Sequence, residues 1–142
     1  MIKLWHVISA KIVITFLFWC LPLLFAPKYL FEWVGVPFPE PEIFNRLLGG
    51  TYAALIVAYY HGLIEARSGG LATVTIRIGI ISNGVAAIIL GRFGLNGAWI
   101  NWSFPAKIYM WVSFATTVLI TLSLITAWWI QIKSSASTAK NL

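Results

Sequence analysis

Lys11, His61, Glu65 and Arg77 are the side chains of this sequence whose types and spacing could do chemistry. His61 and Glu65 stand four residues apart and therefore share a helix face. With two permanent cations at similar depth, they form a half-buried set able to hold an anion, a lipid phosphate or a quinone carbonyl, or to relay protons. The competing reading is anchoring. Lys11 and Arg77 would then snorkel to headgroup phosphates, Glu65 would pair with Arg67 or Arg77, and His61 would be a hydrogen-bonded interfacial histidine. Asn83 differs from all four, because a short amide cannot snorkel. It lies about 18 Å from one end of its apolar stretch by helix rise, so it must find a partner at depth. Tyr52, Trp19, Thr117 and Thr121 are at matching depth, and an interhelical polar contact joining Asn83, Thr117 and Thr121 would contribute around 1 kcal/mol.

The inventory excludes several chemistries. The chain has no aspartate, and its four glutamates are never paired on one helix face, so no catalytic carboxylate dyad is predicted. Cys20 is the only cysteine, which rules out an intrachain disulfide, a CxxC redox pair and a thiolate metal cage. His6 and His61 fit no HExxH pattern, and haem between helices would want histidines at matching depth, so no metal site is expected. The Asn101-Trp102-Ser103 sequon matters only in a eukaryotic secretory pathway. No catalytic residue and no cofactor are predicted, with quinone the one cofactor the polar set admits.

The elements that must position these residues are four apolar stretches, about 7–25, 47–64, 71–90 and 108–130. Each is long enough to cross a bilayer's hydrocarbon, where only a helix can satisfy its own amides. The expected fold is all-α, a single integral membrane domain built as an antiparallel four-helix transmembrane bundle. The chain of 142 residues is 60% hydrophobic, 15% aromatic and 10% charged, with a mean hydropathy of +0.86, and leaves no room for a separate soluble domain. The net charge of +6 comes from basic residues scattered singly among loops and helix ends, so no nucleic-acid surface is implied. Lys11 interrupts the first stretch and Pro27 follows Ala26 where a signal cleavage site would stand, so this segment is expected to be retained.

Between the first two stretches, residues 27–42 alternate aromatics with prolines and acids, an interfacial segment with Phe31 and Trp33 dipped into the lipid. The second connection, Ala66 to Gly70, is a tight hairpin. The third, Gly91 to Trp102, mixes turn glycines with tryptophans suited to the headgroup layer, and Trp5, Trp128 and Trp129 form the opposite belt. The tail from Lys133 to Leu142 reads as an exposed polar end. Gly50, Ala54, Ala58 and Gly62 recur every four residues, as do Gly79, Asn83, Ala87 and Gly91, and both stripes would let helices approach closely within the chain or between subunits. Lys3, Arg67, Lys133 and Lys140 on the terminal side balance Lys28, Arg46, Arg92 and Lys107 on the other. Snorkelling Lys11 and Arg77 would tip that balance and place both termini in the cytoplasm.

Phe25-Ala26-Pro27, Gly35-Val36-Pro37 with its following acids, Asn45-Arg46-Leu47-Leu48-Gly49-Gly50 and Gly91-Arg92 resemble the DoxX-like group of small four-helix membrane proteins over the first two thirds of the chain. The resemblance implies a bacterial or archaeal inner membrane, and in some members a link to quinone-coupled sulfur oxidation. With no catalytic constellation, the expected role is a non-catalytic accessory or assembly subunit, perched beside a quinone-linked oxidoreductase, with membrane lipids, other membrane subunits or a second copy as partners. The rival is a small transporter or channel for an anion or protons. A transporter needs a cavity reaching Asn83, a subunit needs an exposed small-residue face, and a quinone-binding subunit needs an aromatic-lined slot beside Arg77 or His61.

Overall fold

Long apolar runs with few breakers leave the helix as the backbone arrangement that pairs its own amides away from water. The computed structural model describes residues 3–139, the side chains of residue 131 and of residues 134–139 excepted, and every regular element among the described residues is helical. The helices are α1 (Leu4–Phe25), α2 (Lys28–Val34), α3 (Ile43–Arg67), α4 (Thr73–Leu95) and α5 (Phe104–Ala139). All but α2 are long and apolar enough to cross a membrane. α3 begins at Ile43 and α5 at Phe104, each a turn ahead of its apolar stretch, because Arg46 and Lys107 end the apolar runs without interrupting helical winding. The backbone of α5 stays helical to Ala139 where the sequence predicts a polar tail; Lys140 lies outside the described residues.

Within α1 the regular winding loosens into a π turn at Phe16–Cys20. Pro22 explains the position, since it lacks the N–H that the Phe18 carbonyl would receive in an α-helix. The far end of α1 is closed by Arg46, whose guanidinium donates to Leu23 O at 3.0 Å and to Ala26 O at 3.1 Å while Nε donates to Glu42 at 2.8 Å. These are carbonyls that a helix C-terminus leaves without partners. Arg46, in the first turn of α3, is thus a structural clamp.

The segment after α1 is shaped by Pro27 before α2 and Gly35 after it. Gly35 takes a left-handed conformation (φ 80°), and Ser103, at the start of α5, donates to Val34 O beside it. Lys28 pairs with Glu40 and stands 3.9 Å from Glu32. Its hydrogen bond and charge hold the Glu40 carboxyl below its ordinary range, and Lys28 is raised above its own. This exposed brace is therefore present above the usual carboxylate range and weakens as pH falls through the lowered value of Glu40. Trp33 is 84% exposed, but Phe31 folds onto Phe38 with ring centroids 5.1 Å apart instead of dipping outward beside it. Trp99 is a second correction. It is buried and meets Trp111 edge-on at 5.2 Å, because the loop glycines let the chain fold back over α5.

The core joins Leu4 and Ile8 of α1, Tyr59 and Leu63 of α3, Ala72 and Ile76 around the start of α4, and Leu124 of α5. The small-residue stripes divide. A β-carbon on Gly62 would collide with Thr75, whose hydroxyl donates to Ala58 O at 3.3 Å, and one on Gly79 would stand 2.7 Å from Leu124. Gly50, in contrast, has open space around it, Ala54 is exposed, and Ala87 is half-buried. The α3 stripe is a close helix contact only at its Ala58–Gly62 end. Gly62→Ala should therefore destabilise the protein by about 1–3 kcal/mol through overpacking, whereas Gly50→Ala, a helix-interior glycine with open space around it, should leave stability unchanged or raise it by up to about 1 kcal/mol. Thermal melting of the two variants in one detergent checks this, and equal melting temperatures would contradict the packing.

Candidate functional site

Lys11 projects from the first half of α1 and is 5% exposed. Its Nζ donates to Asn83 Oδ1 at 2.8 Å and stands 4.6 Å from the centre of the Tyr59 ring, a cation over an aromatic face. Asn83, also 5% exposed, completes its own needs by donating Nδ2 to Gly79 O at 2.6 Å, one turn back along α4. Ser82 donates to the same Gly79 carbonyl at 3.3 Å and shares a 2.7 Å hydrogen bond with the Tyr59 hydroxyl. Three helices are thereby linked by one polar network: α1 through Lys11, α3 through Tyr59, α4 through Ser82 and Asn83.

This network borders a cavity of about 540 Å³. Lys11, Ser82 and Asn83 lie on its wall with Thr15, Tyr52, Tyr109, Ser113 and Thr117, and the remaining wall is largely apolar, including Phe18, Leu55, Leu90 and Ile120. The volume lies within the range of small-molecule sites, which pair an apolar lining with a few converging polar groups. Trp19 stands between Tyr52 and Tyr109, with ring centroids at 5.8 and 5.6 Å. The Tyr109 hydroxyl donates to Phe18 O, the carbonyl that Pro22 deprives of its helical N–H. The irregular turn in α1 and the aromatic wall of the cavity are consequently one construction.

The polar set expected from sequence is not assembled. Lys11 neither snorkels nor joins His61, Glu65 and Arg77; its four-carbon stem reaches Asn83, where an amide oxygen and a tyrosine face replace water. His61 and Arg77 are exposed on α3 and α4, with no hydrogen bond or ion pair joining either to Glu65 among the described residues. Glu65 pairs with neither Arg67 nor Arg77. Its Oε1 accepts the Ala72 backbone N–H at 2.9 Å, bracing the hairpin into α4, while Arg67 stands 5.3 Å from the Trp5 ring. Thr117 and Thr121 do not bridge helices either. Their hydroxyls donate to Phe114 O and Thr117 O at 2.8 Å, satisfying themselves on α5, and Asn83 bonds to none of the four residues expected at its depth. Tyr59, Ser82, Tyr109 and Pro22 were missed, although a proline inside an apolar stretch marks a carbonyl in need of an outside donor.

The chain matches no family model, and comparison with curated proteins and with solved structures finds no significant match.

The coupling of Pro22 to Tyr109 is measurable. Tyr109→Phe should lower stability by about 0.5–1.5 kcal/mol, and the loss should shrink in a Pro22→Ala background, where the Phe18 carbonyl regains a backbone donor. Additive losses in a double-mutant cycle would refute the connection.

Proposed function

We propose that the protein is a membrane-embedded binding subunit, an antiparallel four-span bundle that holds a small lipid-soluble molecule in the partly open cavity between its helices. One observation carries this reading: the cavity's apolar wall is interrupted by a buried, hydrogen-bonded lysine and asparagine, the arrangement that fixes the polar end of an otherwise apolar ligand. The likeness of its Phe25-Ala26-Pro27 and Asn45-to-Gly50 segments to the DoxX-like group supports a prokaryotic plasma membrane and a place beside a quinone-linked oxidoreductase. A quinone would then meet Lys11 and the tyrosines, not Arg77 or His61. The exposed Gly50 and Ala54 favour, as a second reading, association of α3 with a further membrane helix.

With Lys11 turned inward, the orientation rests on Arg77, and termini on the cytoplasmic side remain the favoured arrangement. A cysteine placed at Asn96 should react with an impermeant reagent from outside, and one at Ser68 should not. The reverse pattern would invert the topology.

For the cavity, Ala86→Phe should fill space that the wild type leaves open. Native mass spectrometry should find a small molecule retained by the wild type and depleted severalfold in the variant, with helix content unchanged. Equal retention would remove the cavity from the function.

A further inference from the structure

We infer that the cavity beside Lys11 is a site for a monoanionic amphiphile, a carboxylate carried on a single apolar chain; the inference rests on the cavity-binding reading above. The argument is one of charge accounting. A buried ammonium is costly in an apolar interior unless an opposite charge or a full set of hydrogen bonds compensates it or it sheds its proton, and an anionic ligand is the partner that would keep Lys11 charged. Lys11 has three N–H donors, of which one meets Asn83 Oδ1, and the Tyr59 face offers only a quadrupole.

No carboxylate of the described residues is free to serve Lys11. The chain has no aspartate. Of its glutamates, Glu32 and Glu40 face Lys28, Glu42 is held by Arg46, and Glu65 accepts the Ala72 N–H. Lys11 thus stands on the wall of a cavity with no carboxylate beside it among the described residues. Asn83 cannot take that role, because its carbonyl is neutral and its amide is committed to Gly79 O.

Charge, volume and lining then define the occupant. One ammonium balances one negative charge, and a dianion would leave a second charge uncompensated among Phe18, Leu55, Leu90 and Ile120. A volume of about 540 Å³ lies within the range of sites for small molecules, enough for a head group and a single apolar chain. The mostly apolar wall suits the chain, and the Lys11 donors that Asn83 does not take among the described residues suit a carboxylate.

The test compares dodecanoate with dodecanol on the full chain in nonionic detergent, reading binding by native mass spectrometry and by shift in melting temperature. The wild type should bind dodecanoate at least tenfold more tightly than dodecanol. Lys11→Met should still bind dodecanol while its preference falls to about one, and Lys11→Arg should keep a preference for the anion. If the wild type binds both equally, the anion proposal is overturned and the cavity reading stands. If it binds neither, both fall. The wild-type comparison decides the matter even should Lys11→Met fail to fold.

Discussion

The hydrogen bond from Lys11 to Asn83 is the contact on which the interior depends. Away from water an ammonium needs partners, and this one finds an amide oxygen on α4 and the Tyr59 ring on α3. That requirement fixes the rotation of α1, because the face carrying Lys11 also carries Ile8 and Thr15, both buried. It also fixes the use of Asn83, which must turn its oxygen toward α1 and its nitrogen to Gly79. The same rotation carries the aromatic side of α1, Phe18 and Trp19, onto the cavity wall.

The existence and order of the membrane-length helices were legible because apolar runs of that length admit one backbone solution. The ends were less legible. Helix geometry extends past the hydropathy edge at Ile43 and Phe104, and the continuation of α5 to Ala139 has no apolar signal behind it. Depth along a helix could be read from residue number, so Asn83 stood out. Azimuth could not: Lys11 and Arg77 look alike as single cations in apolar stretches, yet one turns inward and the other outward. Spacing places residues on a common face without saying what that face meets. For the same reason Thr117 and Thr121, at the right depth, keep their hydroxyls for their own helix.

Irregularity in this protein is local and has identifiable causes. Pro22 removes one donor, the winding loosens over Phe16–Cys20, and Tyr109 supplies the missing hydrogen bond from α5. Arg46 plays the corresponding part at the end of α1, where Leu23 and Ala26 present carbonyls that no later turn can serve. Both repairs are made by side chains distant in sequence, so α1 reaches its observed form only once α3 and α5 are beside it.

The sequence separation within the Lys11–Asn83 bond has a consequence for biogenesis. Asn83 follows Lys11 by 72 residues, so at translation rates of about 5–20 residues per second the lysine waits roughly 4–14 s for its partner to be made. During that interval the hydrogen bond that holds Lys11 in the interior cannot form. The interior contact of Lys11 is therefore complete only once α4 has been made, because its Asn83 partner lies on that helix.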